Sequence, residues 1–421
     1  MKFTKTLIAA SLAFVSADSF SAAFQLSEQN ASGLGRAYAG EAAIADDASV
    51  VARNPALMTL FKDKQLSVAA IFVVPDVSLE GTGATDTATG TALPIPASVL
   101  DESSIAPSAI VPATYFTMPI NDKVAIGFGA FSNFGLSTEF DDDYAAGQLA
   151  GKTEIFTVNM NASVAYKVTE EFSVGVGVNF IYADAQILRH SGIVAGDFAS
   201  TEAVNLEGDD TGYGVNVGLM YQLDDNSRFG LTYRSETDIT FDGTFSSAAR
   251  SVPELPGSVD ITLPAIVELS GSHQLDDKLG LHYSVLWTGW SSFDSLEAMV
   301  KSPAGEFSAF EKTENFDDSL RYSIGTDYQF NEKLLLRAGV ALDESPASQN
   351  HLSISIPDTD RYWFSLGGNY AIDEKSNVDL GMSVLRGKTQ YFDEANETGQ
   401  TWGFESKGHA VLIGAQYNYK F

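Results

Sequence analysis

The chain has 421 residues, 25 Lys and Arg against 55 Asp and Glu, a formal net charge of −30 and no Cys. That acidity excludes nucleic acid as a partner, because phosphate contacts need Lys and Arg. Hydrophobic content is 44 %, yet no run reaches the roughly 18 consecutive apolar residues that a membrane-spanning helix requires.

The chain opens as a secretory leader. Lys2 and Lys5 give the charged start, Leu7 to Val15 the apolar stretch, and Ser19-Phe20-Ser21 the small residues a signal peptidase reads. Cleavage is expected after Ser21, so residues 1–21 are signal peptide and Ala22 begins the mature chain. Residues 22–63 do not alternate. They run from the small and polar Ala31–Gly40 through Glu41–Val51, which favours helix, to Asn54-Pro55-Ala56. Such a stretch cannot span lipid.

From residue 64 to 421 the pattern is β. Phe156, Val158, Met160, Ala162, Val164 and Tyr166 share one strand face, against Thr157, Asn159, Asn161 and Ser163. Tyr213, Val215, Val217, Leu219 and Tyr221 oppose Gly214, Asn216 and Gly218. Val378, Leu380, Met382 and Val384 oppose Asp379, Gly381 and Ser383. The last strand alternates to its end, with Val411, Ile413, Ala415, Tyr417, Tyr419 and Phe421 on one face and Leu412, Gly414, Gln416, Asn418 and Lys420 on the other. Short turns recur at 121–123, 169–171, 224–227, 276–278, 331–333 and 373–376. Between them lie longer polar stretches at 80–107, 141–152, 190–211, 243–258, 294–316, 344–360 and 393–403.

These connections predict fourteen strands. With no helices to cover the apolar faces, the cover must be lipid, and a closed barrel with short turns on one side and long loops on the other follows. Aromatic residues at the strand ends form its interface girdles. The fold expected is all-β, a fourteen-stranded antiparallel transmembrane barrel. A bore that wide needs filling or conducts water. Residues 22–63 could hang below it, but a plug is the favoured reading.

Inward positions are polar almost everywhere, so apolar ones are informative. In the strand from Phe172, the inward set changes from Ser173, Gly175, Gly177 and Asn179 to Ile181, Ala183, Ala185 and Ile187, and ends at Arg189. Phe131, Leu286 and Trp290 are inward at similar heights. An apolar cavity closed by a cation suits a ligand with a hydrocarbon tail and a carboxylate head; a lumen Arg paired to a carboxylate fits the pattern equally well. His282 and Ser284 share one inward face, two residues apart, which raises the alternative of a lipid hydrolase. Their place near a periplasmic turn, inside the bore, argues against it. The remaining His residues show no metal-ligand spacing, and no cofactor is expected.

The N-terminal residues A-F-Q-L-S-E (23–28), S-G-L-G-R-A-Y-A-G-E (32–41), A-I-A-D-D-A (43–48) and R-N-P-A-L (53–57) carry a resemblance, joined by P-D-V-S (75–78), A-P-S-A-I-V-P (106–112), L-T-Y-R-S-E (231–236), S-I-S-I-P-D-T-D-R-Y-W (353–363) and F-E-S-K-G (404–408). In this order they resemble the FadL family of outer-membrane long-chain fatty acid transporters. The resemblance implies a barrel plugged by an N-terminal hatch (22–63), with Asn54, Pro55 and Ala56 as its motif. It implies capture of ligand in an outer groove, transfer to an inner pocket where Arg189 and Lys312 meet the carboxylate near Asp343, and Phe24 reaching towards that pocket. Asn133, Phe134 and Gly135 match a kink in the third strand that opens a lateral exit into the membrane. The loop at 190–211 is shorter than in the best-known members, which leaves Ile193, Val194, Phe198, Phe245 and Leu255 to line the groove. Phe131, Ile181 and Ile187 line the pocket. The expected ligands are long-chain fatty acids or similar hydrophobic molecules, neutral or aromatic hydrocarbons being the alternative. The expected surroundings are outer-membrane lipid and lipopolysaccharide, and the expected state is a monomer. An adhesin or phage-receptor role for the loops could coexist with transport.

Overall fold

The computed structural model describes residues 23–421, so the leader and its cleavage site lie outside the described residues. Twenty β segments form one antiparallel sheet. In chain order they are β1 (Gln65–Asp86), β2 (Ala109–Pro119), β3 (Val124–Phe131), β4 (Gly135–Glu139), β5 (Gly151–Lys167), β6 (Phe172–His190), β7 (Glu202–Asp224), β8 (Ser227–Arg234), β9 (Thr237–Ser247) and β10 (Val252–Leu263). Then come β11 (Ile266–Gln274), β12 (Leu279–Thr288), β13 (Ser295–Ser302), β14 (Gly305–Thr313), β15 (Ser319–Asn331), β16 (Leu334–Asp343), β17 (Arg361–Ala371), β18 (Ser376–Gly387), β19 (Gln390–Ala395) and β20 (Gln400–Lys420). Six wall strands are split into two segments: β3/β4, β8/β9, β10/β11, β12/β13, β14/β15 and β18/β19. Each is followed in order by its neighbour, and β20 pairs with β1 from Gln65↔Lys420 to Asp86↔Gln400, so fourteen strands close a ring. Closure leaves no exposed sheet edge for lipid to strand.

The six short turns form where expected, and side chains explain why. The Asn121 Oδ1 accepts the Lys123 and Val124 N–H groups. Asp276, Asn331 and Asp373 do the same for the residues two and three ahead. The Thr169 hydroxyl accepts from Glu171 and Phe172, and Asp224 Oδ1 from Asn226. Each turn thus satisfies its own backbone with one short polar side chain.

Alternation sorts residues by face. On β20, Ile413 and Tyr417 are exposed on the outer wall while Leu412, Gln416 and Asn418 are buried. On β6, Val176 and Val178 point out and Ser173 and Asn179 point in. The expected long loops are shorter than the sequence suggested. β6 and β7 continue to His190 and from Glu202, β9 and β10 leave only 248–251 between them, 294–316 is largely the β13–β14 hairpin, and 396–399 is all that separates β19 from β20. Above the bilayer the outer face meets water and the inner face packs on apolar side chains, as on β9, where Asp238, Thr240 and Asp242 are exposed while Ile239 and Phe241 are buried, so the apolar-outward pattern is lost while the hydrogen-bond ladder runs on.

Residues 23–61 lie against the inner wall and are almost wholly buried. Two single-turn helices occur here, α1 (Ala31–Leu34) and α2 (Val50–Arg53). The Asn30 side chain caps α1 by accepting the Gly33 N–H at 2.6 Å. A 3-10 helix follows over Pro55–Leu60. Wall glycines give this backbone room: a Cβ on Gly230 would lie 1.7 Å from the Ala42 carbonyl oxygen, and one on Gly339 2.1 Å from that of Arg36. Charge fixes the seating. Arg36 reaches Asp46 at 2.8 Å and the wall residue Asp327 at 2.9 Å, while wall residue Arg337 meets Asp46 at 3.1 Å and pairs with Asp379.

Candidate functional site

The wall is interrupted beside β4. β2 pairs with β3 from Thr114↔Ala130 to Pro119↔Ala125, but β4 pairs only with β5. Residues 132–134 bend inward between them. Ser132 Oγ donates to the Thr157 carbonyl at 2.6 Å, and the Thr157 hydroxyl donates to the Phe134 carbonyl at 2.6 Å. Asn159 Nδ2 donates to Asn133 Oδ1 at 2.8 Å. The chain's own beginning takes the free edge. Leu26 N–H donates to the Asn133 carbonyl at 2.7 Å, Gly135 N–H to the Phe24 carbonyl at 2.8 Å, and Gln25 bridges Phe134. Asn133, Phe134 and Gly135 therefore sit at a real break in strand pairing, and Phe24 lies on it.

Phe24 anchors an apolar cluster. Its ring stands edge-on to Trp290 at 4.6 Å, Phe293 at 5.1 Å and Phe134 at 6.0 Å. Ile181, Ile187, Leu206, Phe316 and Ile356 continue the cluster. Above it a cavity of about 280 Å³ is lined by Leu149, Val204, Ala309 and Phe310, and by Arg189, Lys312 and Glu394. Arg189 and Lys312, far apart in sequence, thus face one space.

Their partners differ. Arg189 Nη1 donates to the Lys152 and Leu188 carbonyls at 3.1 and 2.8 Å, and Nη2 to Thr153 Oγ1 and Ser355 Oγ at 3.0 Å each. Among the described residues no carboxylate oxygen lies within 4.0 Å of it. Lys312 Nζ donates to Glu394 Oε1 at 2.9 Å and lies 4.0 Å from Glu314. Glu394 Oε2 accepts the Ile354 N–H at 2.9 Å. Glu314 is 1 % exposed, neither carboxyl oxygen has a hydrogen-bond partner, and burial pushes its carboxyl up to about 7.

Several sequence-predicted residues lie elsewhere. Phe131 is buried, but against Tyr115 at 5.7 Å and under the Arg234 guanidinium at 5.5 Å, in a cluster with Val51, Leu57 and Met58. It packs with the N-terminal segment instead of the inner apolar cluster, because inward orientation does not set height. Asp343 is buried 3.6 Å from Arg361 and makes no ion pair with Arg189 or Lys312. Ile193, Val194 and Phe198 are exposed on a 3-10 turn. Phe245 is fully buried and Leu255 half-buried, both against the inner apolar cluster, so they face the interior and not an outer groove. Asn54 Nδ2 donates to the Ala42 and Leu219 carbonyls at 2.6 and 2.9 Å, and its Oδ1 accepts the Ala56 N–H at 3.0 Å. Pro55 opens the following 3-10 helix. Glu314 and Glu394 escaped the sequence reading. Glu314 sits two residues past Lys312, a same-face spacing in a strand that could have flagged it. Glu394 gives no local sign.

His282 and Ser284 do not form a catalytic pair. His282 Nδ1 bonds Ser272 at 3.0 Å and Nε2 lies 3.5 Å from Asp327. Ser284 accepts the Gly40 N–H and donates to Glu268 at 2.9 Å. Ser284 ties the N-terminal segment to the wall, while His282 bonds wall residues alone.

The fourteen strands close a ring whose third strand is broken beside β4. The sequence profile of the outer membrane protein transport proteins (OMPP1/FadL/TodX) matches residues 12–421. The chain belongs to this family. It is 40 % identical to the long-chain fatty acid transport protein of Salmonella typhi, over 100 % of this chain and 99 % of that protein. It is 38 % identical to the protein of the same name from Escherichia coli (strain K12), with the same coverage. Outer membrane protein P1 of Haemophilus influenzae is 40 % identical over all of both chains. A Pseudomonas aeruginosa FadL homologue shares the fold at a TM-score of 0.85 and 22 % identity, covering 95 % of this chain and 100 % of its own. The Pseudomonas putida toluene transporter TodX does so at 0.70 and 18 %, covering 95 % and 100 %. The chain is a Gram-negative outer-membrane barrel of a transport family and not an enzyme.

Proposed function

We propose that the protein carries long-chain fatty acids passively across the outer membrane. The observation that carries the reading is Arg189, a buried guanidinium without a carboxylate partner, sharing a cavity with Lys312 at the head of an apolar cluster. Each methylene buried is worth about 0.8 kcal/mol, so the tail supplies most of the affinity and the cations select the head. In this reading residues 22–63 are a hatch that stoppers the bore, Ile193, Val194 and Phe198 offer ligand its first contact, and the break beside β4 is the lateral exit once Phe24 withdraws. The reading takes the transporter to work as a monomer among lipid and lipopolysaccharide.

Arg189→Ala combined with Lys312→Ala is expected to weaken oleate binding about tenfold or more while leaving toluene uptake unchanged. Competition binding in detergent measures the first and liposome uptake the second. Equal oleate affinity in the double variant would sink the pocket assignment. A second reading, uptake of neutral hydrocarbons, draws on Lys312 being already paired with Glu394. It predicts loss of toluene uptake and unimpaired growth on fatty acid when the gene is deleted.

A further inference from the structure

Lys312 has two carboxylates and Arg189 has none. The charged groups facing Glu314 are Lys312 from β14, Glu394 from β19 and Arg189 from β6; Arg250 and Glu397, 3.8 Å apart, stand further out at the cavity rim. Glu311 also lines the cavity but is exposed to solvent; among the sheltered groups, the two cations Arg189 and Lys312 meet the two carboxylates Glu314 and Glu394. A ligand carboxylate makes three anions to two cations beside the buried Arg189, Glu394 and Glu314, where an unmatched charge is expensive. One carboxylate must then take a proton.

Glu394 is the poor candidate, since Lys312 and the Ile354 N–H hold its two oxygens as acceptors. Glu314 is the good one. It is 1 % exposed and no donor meets either oxygen, so a proton there displaces no hydrogen bond. We propose that binding of an anionic head group between Arg189 and Lys312 takes up one proton from bulk water onto Glu314, which makes Glu314 the residue that sets the pH range of ligand capture.

The inference rests on the reading of this cavity as the head-group site. Glu314 lies in the extracellular extension of the wall, past the roughly 9–11 residues that a tilted strand needs to cross a bilayer, so the proton is drawn from the outer medium. Its carboxyl, at about 7 before ligand arrives, moves higher when a second anion settles nearby. Affinity is therefore greatest below pH 7, falls as pH rises through the two values of this group, and levels off once Glu314 stays ionised with ligand bound.

Dodecanesulfonate is the suitable probe because its head group stays ionised throughout, which leaves the protein as the source of any pH dependence. The full mature protein in neutral detergent is titrated calorimetrically between pH 6 and 9, in two buffers of different ionisation heat. The expected result is roughly tenfold tighter binding at pH 6 than at pH 9, with close to one proton absorbed near pH 8. Glu314→Gln is expected to bind at the tight level at every pH and absorb none, while Glu394→Gln keeps the slope. Wild-type binding without proton uptake overturns the proposal, whether or not the variants fold. So does a slope that survives in Glu314→Gln or vanishes only in Glu394→Gln. Probe binding that is unchanged by Arg189→Ala and Lys312→Ala places the head group elsewhere, and overturns the pocket reading as well.

Discussion

Two wall glycines separate packing from backbone freedom. A methyl on Gly230 would collide with the Ala42 carbonyl, whereas one on Gly408 would approach nothing nearer than Val77 Cγ2 at 3.8 Å. Gly230→Ala is expected to cost about 1–3 kcal/mol through forced movement of the N-terminal segment. Gly408→Ala is expected to be neutral or slightly stabilising, since a strand glycine gives up more entropy on folding. Urea midpoints for refolding into liposomes measure both, and equal midpoints would show that the inner segment yields freely. At this scale the sequence read well where orientation alone decided the matter. Arg189 stood out as the one cation ending an inward apolar run. Phe131 and Phe245 were misplaced because alternation tells in from out but says nothing of height along the bore. Glu314 carried only its spacing from Lys312 as a sign; its lack of a hydrogen-bond donor depends on the surrounding loops, which no local pattern encodes.

At the scale of elements, one hydroxyl satisfies both backbone groups of Phe134 in the broken third strand. Thr157 Oγ1 donates to the Phe134 carbonyl and accepts the Phe134 N–H at 3.3 Å. Thr157→Val keeps the shape and removes both bonds, leaving a buried carbonyl unpaired at a cost of about 1–3 kcal/mol. The expected result is faster amide exchange at Leu26 and Gly135, whose N–H groups pair across the same bend, with the exchange of β6 and β7 unchanged. Exchange at Leu26 that stays at the wild-type rate would mean the N-terminal segment, and not Thr157, sets the bend. Strand count and turn positions were legible because lipid on one side and polar bore on the other enforce strict alternation. The reach of the strands beyond the membrane was not, since there water faces the outer side and apolar residues turn inward, which reverses the pattern that marks a lipid-facing strand.

For the whole molecule, the question is what holds an acidic segment inside an acidic barrel. The ion pairs around Arg36, Asp46 and Arg337 keep Asp46 below the ordinary carboxylate range. A depressed carboxyl stabilises the folded state above its unfolded value and is lost only in strong acid, so these pairs are constant between pH 5 and 8. Glu28 behaves in the opposite sense. It is buried on the N-terminal segment, and burial outweighs the Glu28 and Ser27 backbone N–H groups and the charges of Arg321 and Arg361 to push it up to about 7; Asp47 is pushed up to about 6. A raised carboxyl takes up a proton on folding. Its penalty is absent below the unfolded value near 4.5, grows as pH rises, and is complete above 7. For Glu28 a displacement of this size corresponds to about 3 kcal/mol. The seated segment should therefore loosen as pH rises from 5 to 8, with the wall intact. Glu28→Gln is expected to remove most of that slope, because an amide does not ionise, while leaving stability at pH 4.5 nearly unchanged apart from the hydrogen bonds the amide lacks. Protease access to residues 23–61 and urea midpoints across this pH range measure the two effects separately. A wild-type protein whose inner segment is equally protected at pH 5 and pH 8 would show that Glu28 finds a donor or a proton that the buried geometry does not provide.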